Sequence, residues 1–257
     1  MSWVSDLDVL HITILPFLAL SCYNRSYTIA EYLVTMTIPD TITIDGPAGA
    51  GKSTVGELLA RRLGYLYFDT GTMYRALTWA ALRRGIDPRD GATTAALALV
   101  LDIQVLPPTA DDGRQYTVLV DSHDATWELR LPEVERNVSL AASYPAVREV
   151  MRERQRAIGR RGRVVMVGRD IGNIVMPDAP LKIYLEASLD ERARRRAAEL
   201  RARGQDVRLD QVRAEVARRD ALDQHVMAPA PDAVVFHSDG LSPADVVDAI
   251  VGIASRA

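Results

Sequence analysis

Lysine and cysteine are both scarce in this chain of 257 residues. The one cysteine, Cys22, has no partner for an internal disulfide or a metal cluster, which favours a reducing compartment such as the cytoplasm. Only two lysines occur, Lys52 and Lys182, so arginine carries nearly all of the positive charge. The formal net charge is -3, whereas a protein that binds nucleic acid along its surface is typically basic. We therefore expect a cytoplasmic globular protein without a nucleic-acid partner.

Long apolar segments are lacking as well. The run VLHITILPFLALSC is too short to span a bilayer, and MSWVSDLD before it is acidic, whereas the start of a signal peptide is basic. We therefore expect no membrane partner. Because Met36 leads directly into a strand pattern, we interpret residues 1–35 as an N-terminal extension or a misassigned start, and residues 36–257 as one domain. An ordered or membrane-associated element at residues 1–35 is the alternative.

From residue 41 onward the periodicity alternates between strands and helices. Helical spacing predicts helices at 53–63 and 73–84, and a closing helix that begins after Ser242. Short apolar runs predict buried strands at 41–45, 65–69, 164–168, 181–185 and 233–236. This alternation is typical of βαβ units, so we predict an α/β fold with a central parallel sheet and helices on both faces.

The middle of the chain, about residues 86–163, breaks this alternation. A polar turn, PPTADDGRQ, lies between two strand-like runs and predicts a hairpin, and a charged helical stretch follows it. The segment is too long to be a loop inside a compact sheet. We interpret it as an insertion with its own small sheet and helices, which closes over a site built by the main sheet.

The stretch TITIDGPAGAGKST at residues 41–54 contains the clearest motif. It matches the G-x-x-x-x-G-K-[ST] pattern of a phosphate-binding loop, with a predicted strand before it and a predicted helix after it. Glycines allow the backbone to aim successive N–H groups at phosphate oxygens, and the helix adds the positive end of its dipole. The predicted loop consists of Gly46, Pro47, Ala48, Gly49, Ala50, Gly51, Lys52, Ser53 and Thr54.

Two side chains of this loop have predicted roles of their own. The ammonium of Lys52 is a compact charge that fits inside a ring of phosphate oxygens, whereas an arginine guanidinium is wide and planar. The Ser53 hydroxyl is the predicted ligand of a magnesium ion. This explains why a chain so poor in lysine has one at this position.

A phosphate-binding loop alone is compatible with switch GTPases, motor-type ATPases and kinases of small molecules. The GTPase class is disfavoured because no D-x-x-G follows the second predicted strand and no N-K-x-D is present. The second strand is followed instead by DTGTMYR, at the sheet edge where ligands of parallel sheets bind.

Several motifs together carry a resemblance to a known family. In chain order they are ITIDGPAGAGKST, FDTGTMYR, YPAVRE…RQR, GRDIG…PDAPLKIYLEAS, ERARRR and RRDALD. In order and spacing they resemble the bacterial cytidylate kinases over about residues 38–257. The resemblance implies a P-loop NTPase fold with a nucleoside-monophosphate-binding insertion at about 86–163 and a helical lid at about 190–218. It also implies a monomer that transfers the γ-phosphoryl group of ATP, with Mg²⁺, to CMP or dCMP.

The resemblance implies a role for each motif residue as well. The acceptor phosphate is already anionic, so catalysis depends on alignment and charge neutralisation rather than on a base. The loop residues would bind ATP, and the implied catalytic residues are Lys52, Arg169, Arg192 and Arg196. The implied CMP contacts are Arg75, Arg148 and Arg169 as phosphate clamps, Thr70 and Asp223 at the sugar, Ser139 and Asp170 at the cytosine, and Arg219 from the lid.

Three positions depart from the family pattern. Many members have an acidic residue where this chain has Val167, and a threonine where it has Asn173. Many also have an arginine shortly after the segment that ends at Asp223, whereas DQHVMAPAPD has none and is one residue shorter. The sequence therefore leaves the metal coordination and the preference for CMP over UMP open.

Two other functions stay open on sequence grounds. A phosphate-loop kinase with a hydroxyl acceptor, such as a shikimate-type enzyme, would need a carboxylate base. Asp45 and Asp69 are the candidates for that base. A non-catalytic nucleotide-binding relative would be consistent with Val167 and with the missing arginine.

Overall fold

The structure is a computed structural model, and it describes residues 38–202, 204–223 and 227–256. Our interpretation of residues 1–35 therefore lies outside the described residues, as do Cys22 and His225. The described strands are β1 (Thr41–Asp45), β2 (Leu66–Asp69), β3 (Ile103–Leu106), β4 (Thr117–Val120), β5 (His123–Asp124), β6 (Val164–Val167), β7 (Leu181–Glu186) and β8 (Val234–His237). The described helices are α1 (Lys52–Leu63), α2 (Gly71–Arg83), α3 (Gly91–Val100), α4 (Pro132–Ala141), α5 (Pro145–Gly159), α6 (Leu189–Ala202), α7 (Leu209–Asp223) and α8 (Pro243–Ala254).

A five-stranded sheet in the order β2-β6-β1-β7-β8 forms the centre of the fold. All neighbouring strands in it are parallel, and helices flank it. Strand β1 lies in the middle, and its Ile42 and Ile44 are fully buried, as expected for a strand covered on both faces. The predicted fold class is therefore confirmed. The carboxyl ends of β1, β2 and β6 meet at one edge, where the site residues lie.

The predicted strands match the observed strands closely, but the expected burial of the last one is wrong. Val234 and Val235 of β8 are 36% and 43% exposed. Among the described strands, β8 pairs with β7 alone and forms the edge of the sheet. An apolar run of this length predicts a strand but does not tell a central position from an edge position.

The middle of the chain forms a separate three-stranded sheet in the order β3-β4-β5. The predicted hairpin is confirmed, because β3 pairs with β4 in antiparallel register. The loop between them reaches back to the main sheet, where the Gln115 amide donates a hydrogen bond to the Glu57 carboxylate of α1. The hairpin is therefore held near the start of the helix that follows the phosphate loop.

Helices α6 and α7 pack against each other around a small apolar cluster of their own, formed by Ala197, Val212 and Val216.

The closing helix α8 begins as predicted, with Ser242 as its N-cap. The Ser242 side chain accepts the backbone N–H of Asp245, and the Asp245 side chain accepts the backbone N–H of Ser242. None of the helices in the described ranges has the length and hydrophobicity that crossing a membrane requires.

Candidate active site

The phosphate loop connects β1 to α1 through backbone conformations that require glycine. Gly46 has a φ of 144°, and a Cβ atom there would lie 2.1 Å from the Leu185 carbonyl oxygen. Gly49 and Gly51 have φ values of 79° and 92°, in the left-handed region that favours glycine. The glycine spacing of the motif is therefore explained by backbone geometry, in one case by direct contact with β7.

Lys52 begins α1 and is half-buried against the loop. Its Nζ donates a hydrogen bond to the carbonyl oxygen of Pro47, with an N–O distance of 2.7 Å. The neighbouring Tyr67 is buried, and this burial raises the pKa of its hydroxyl although a hydrogen bond with Ser53 opposes the rise. The Lys52 ammonium is thus oriented by the loop, and the Ser53 hydroxyl is oriented by Tyr67 of β2.

Two arginines of α6 contact the outer side of the loop. Arg192 donates to the Ala48 carbonyl oxygen at 3.1 Å, and Arg195 donates to the Ala50 carbonyl oxygen at 3.3 Å. Arg192 also forms a two-bond ion pair with Asp220 of α7, at 2.7 and 2.9 Å. The Arg192 side chain is only 7% exposed, and its contacts connect α6 to α7 and to the loop. Arg195 was missed at the sequence level, although it follows Arg192 at helical spacing in ERARRR.

A cleft of about 1110 Å³ opens in front of the loop. It brings together residues from several of the predicted motifs, which are distant in sequence. Besides Ala48 to Thr54 of the loop, the predicted residues in its wall are Arg75, Arg169, Arg196 and Arg219. These arginines come from α2, from the segment after β6, from α6 and from α7, so positive charge surrounds the space in front of Lys52.

Arg75 is held in the cleft by two carboxylates. It pairs with Asp69 at 3.1 Å and with Glu135 of α4 at 3.5 Å. Asp69 also accepts the backbone N–H of Gly71 at 3.0 Å. An arginine fixed on two sides presents a planar set of donors in a defined orientation, which suits the recognition of an anionic group such as a phosphate.

A second group of predicted residues lies outside the described wall of this cleft. Arg148 of α5 forms an ion pair with Asp170 at 2.7 Å, and the Asp170 side chain is 14% exposed. The Thr70 hydroxyl is buried and donates to the Val167 carbonyl oxygen at 3.0 Å. Ser139 is exposed on α4. One predicted phosphate clamp, Arg148, therefore contacts one predicted cytosine reader, Asp170. Ser139 and Thr70 are not part of this ion pair.

Asp223 ends α7, and its side chain lies outside the described residues. The predicted arrangement of Arg219 and Asp223 on one helix face is therefore described only for Arg219, which is exposed and borders the cleft.

The insertion contributes cleft residues that the sequence did not reveal. Arg114 and Trp127 line the cleft, together with Tyr116 and Arg130. Arg114 is only 7% exposed because it pairs with Asp112 and Asp124, each at 2.6 Å. Arg114 follows a glycine in the polar turn of the hairpin, a context that indicates a solvent-exposed turn and gives no signal of a binding residue.

Asp45, at the end of β1, is a buried carboxylate beside the loop. It accepts backbone N–H groups from Ile171 at 2.9 Å and from Gly172 at 2.7 Å. Burial raises the pKa of Asp45 to about 6, against the lowering effect of these two hydrogen bonds. Both carboxylate oxygens are thus engaged by the segment that follows Arg169.

The positions that depart from the family pattern can also be placed. Val167 is 2% exposed and faces Gly56 of α1, where a Cβ atom would lie 2.5 Å from a Val167 methyl group. Asn173 is exposed. Within the described ranges there is no group of three or more acidic, histidine or cysteine side chains arranged to hold a metal ion.

The family model and the similar curated proteins indicate the same family. A family model described as "Cytidylate kinase" matches residues 42–256. A cytidylate kinase from Roseiflexus castenholzii is 68% identical, covering 86% of this chain and 96% of that protein. One from Chloroflexus aggregans is 63% identical, covering 82% and 92%. Among solved structures, a shikimate kinase from Bacteroides thetaiotaomicron has a TM-score of 0.44 at 16% identity, covering 83% of this chain and 97% of that chain. A likeness at that level carries no argument about chemistry.

Proposed function

Because this chain belongs to the cytidylate kinase family, we propose that its cleft binds ATP and CMP together and aligns them for in-line transfer. The chain is a phosphotransferase that uses ATP to phosphorylate CMP. In the reaction, an oxygen of the CMP phosphate bonds to the γ-phosphorus of ATP while the bond from that phosphorus to the bridging oxygen breaks. CDP and ADP are the products. The observation that carries the residue assignments is the meeting of Lys52, Arg75 and Arg169 in one cleft.

The loop half of the cleft is the proposed ATP site. The backbone N–H groups of residues 48–54 and the start of α1 favour phosphate oxygens. Lys52 is the proposed contact of the transferred phosphate, where a point charge neutralises the charge that spreads over the equatorial oxygens. Arg196 from the lid is proposed to reach the same phosphate, since it is 38% exposed and borders the cleft. Arg192 was predicted as catalytic too, but its contacts with Asp220 and Ala48 favour a role in holding the loop.

The opposite half of the cleft is the proposed CMP site. Arg75 and Arg169 are the proposed clamps on the phosphate of CMP, and Arg219 would add a third charge from α7. Arg148 is proposed as a further clamp, with its partner Asp170 accepting the exocyclic amine of cytosine as the basis of choice against uracil. Ser139, Thr70 and Asp223 remain proposed contacts of the base and the sugar. Binding of dCMP by the same residues belongs to this proposal.

Mg²⁺ is the proposed cofactor, bound with ATP. When bound with ATP, the ion would supply positive charge that offsets the negative charge of the phosphates. The Ser53 hydroxyl borders the cleft beside Lys52 and fits as one ligand. Because Val167 takes the place of an acidic residue and faces α1, that position would supply no ligand to the ion. This donor set suits Mg²⁺, which keeps several of its waters in proteins.

A kinase of a hydroxyl acceptor is disfavoured by the state of its two candidate bases. Both oxygens of Asp45 accept backbone N–H groups, and Asp69 is paired with Arg75. Neither carboxylate is therefore available to take a proton from a hydroxyl group. A non-catalytic relative is disfavoured because the cleft keeps Lys52 together with the arginines around it. A monomeric state and a cytoplasmic location remain our proposals from the sequence.

An acceptor panel tests the proposal. ADP release is measured with ATP and magnesium against CMP, dCMP, UMP, AMP and shikimate. We expect rapid turnover with CMP and dCMP and much slower turnover with the other acceptors. Turnover with shikimate would support a hydroxyl acceptor instead, and binding of ATP without turnover of any acceptor would support a non-catalytic protein.

A further inference from the structure

Asp45 stands at a junction between the two halves of the cleft. It is the last residue of β1, directly before Gly46, and only 6% of it is exposed. Its carboxylate does not face solvent but accepts the backbone N–H groups of Ile171 and Gly172. These partners follow Arg169 and Asp170, two of the proposed CMP residues. One side chain thus connects the start of the phosphate loop to the segment of the acceptor site.

The segment that Asp45 contacts is a five-residue π-helical turn, Ile171–Val175. The first N–H groups of a helical turn have no partner within the turn itself. Asp45 satisfies two of them from a strand that lies more than a hundred residues earlier in the chain. It therefore acts as a distant N-terminal cap, and a carboxylate is well suited to this position because the N-terminus of a helical turn is electropositive.

Close packing supports the same connection independently. A Cβ atom on Gly172 would lie 2.9 Å from the Thr43 hydroxyl and 3.2 Å from two carbon atoms of the Lys182 side chain. A Cβ atom on Gly168 would lie 2.5 Å from the Ile171 side chain. The backbone on both sides of Arg169 and Asp170 is therefore pressed against β1, β7 and its own turn, so a small change at Asp45 is not absorbed by free space.

We propose that Asp45 is a positioning residue, which fixes Arg169 and Asp170 relative to the phosphate loop and so sets the spacing of the two nucleotides. This inference rests on the proposed function of Arg169 and Asp170 as CMP contacts. Phosphoryl transfer between two bound nucleotides depends on their alignment, and a misplacement of about 1 Å costs roughly a hundredfold in rate. A rigid connection between the two sites is therefore a catalytic requirement.

The charges around Asp45 indicate how the connection responds to pH. Burial is the main cause of its raised pKa, the carboxylate of Asp170 raises it further, and the ammonium of Lys52 lowers it. Tyr184 of β7 also faces the group, and the charge of Asp45 contributes to the raised pKa of that hydroxyl. Above a pH of about 6 the ionised carboxylate accepts both N–H groups. Below that pH a proton occupies one oxygen and weakens the cap.

Asp45→Asn tests the proposal with little change in size. The asparagine oxygen accepts one N–H group, whereas its NH₂ group opposes the second. We expect the KM for CMP to rise about tenfold and kcat to fall by a similar factor, because a buried charge-assisted hydrogen bond is lost. The affinity for a non-hydrolysable ATP analogue should stay within about threefold of the original, since the loop residues are unchanged. Thr43→Val is the matched control on the same face of β1, where the buried hydroxyl has no hydrogen-bond partner among the described residues.

Two results would overturn the proposal. One is an Asp45→Asn protein with unchanged kcat and KM for CMP. The other is equal loss of the ATP analogue and of CMP, which would indicate general damage to the fold. The control is expected to keep both affinities and kcat.

Amide NMR signals provide a readout that needs no activity. In the protein without nucleotides, the backbone amide signals of Ile171 and Gly172 should titrate with a midpoint near pH 6, following the pKa of Asp45. Asp45→Asn should abolish this titration. Amide signals of Ile171 and Gly172 that are the same in Asp45→Asn as in the original protein would contradict the connection. If the connection is present but CMP is not phosphorylated, the proposed function fails and the structural link stands.

Discussion

The loop half and the acceptor half of the cleft are built from different parts of the chain. The loop half comes from one continuous segment, residues 46–54, and its shape follows from glycines whose φ values strongly disfavour other residues. The proposed acceptor half combines Arg75 of α2, which lines the cleft, with the pair of Arg148 from α5 and Asp170 from the segment after β6, which the described wall does not include. The first half is thus a property of local backbone, whereas the second exists only when the whole sheet has formed. Substitutions should therefore affect the two halves separately.

The largest expected effect comes from the lysine of the loop. Lys52→Arg replaces a compact ammonium by a guanidinium that is too wide for the ring of phosphate oxygens. We expect kcat to fall by about a hundredfold to a thousandfold, the typical cost of losing one contact to transition-state charge. Steady-state ADP release and circular dichroism measure activity and folding. Lys182→Arg, in the ion pair with the exposed Asp232, is the control and should keep kcat. An active Lys52→Arg enzyme would contradict the role given to size.

The second effect concerns the contacts of Arg192 with the loop and with Asp220. Arg192→Ala leaves Asp220 without its partner, and we expect the free energy of unfolding to fall by about 3 kcal/mol. Arg196→Ala removes an exposed pair with Glu199, so the change should stay below about 1 kcal/mol. Urea denaturation of both variants measures the difference. Loss of activity in Arg192→Ala without loss of stability would instead support direct contact with the reacting phosphates.

The third effect addresses the phosphate clamp of the acceptor half. Arg75→Lys keeps the charge but removes the planar donors that Asp69 and Glu135 orient. We expect the KM for CMP to rise about tenfold to a hundredfold, because a bidentate contact becomes a single one. The KM for ATP is measured in the same assay and should change little. Equal increases in both KM values would remove the distinction between the halves.

The smallest expected effect concerns the choice of base. Asp170→Asn replaces the proposed acceptor of the cytosine amine by a group that also donates. We expect the ratio of kcat/KM for CMP over UMP to fall about tenfold, in the range of one base-specific contact. Asp178→Asn, an exposed carboxylate in the same part of the chain, is the control. An unchanged ratio in Asp170→Asn would show that other groups read the base.

Sequence information was sufficient where structure is local. The strands, the loop and the cap at Ser242 follow from periodicity, glycine spacing and capping residues within short segments. The exposure of β8 did not follow, because its place at the sheet edge depends on strand order. Sequence patterns therefore predict the strands and helix ends reliably here, but they predict the burial of a strand less well.

The candidate site also contains some residues that the sequence identified and others that it did not. Residues inside a motif, such as Lys52 and Arg75, were identified from sequence and lie in one cleft. Arg114 and Arg195 were not. Nothing in the polar turn around Arg114 indicates that it lines the cleft, and Arg195 contacts a loop carbonyl group that is far away in the chain. The contact of Asp45 with Ile171 and Gly172 is likewise invisible in the sequence, since backbone N–H groups leave no residue signature.

Ligand binding to the loop variant, Lys52→Arg, and to the clamp variant, Arg75→Lys, tests the division between the two halves of the cleft most directly. CMP is titrated into Lys52→Arg, and a non-hydrolysable ATP analogue with magnesium is titrated into Arg75→Lys, both by calorimetry. We expect each ligand to bind within about threefold of its affinity for the original protein, because the altered residue lies in the other half. Loss of CMP binding in Lys52→Arg, together with loss of the ATP analogue in Arg75→Lys, would contradict the account.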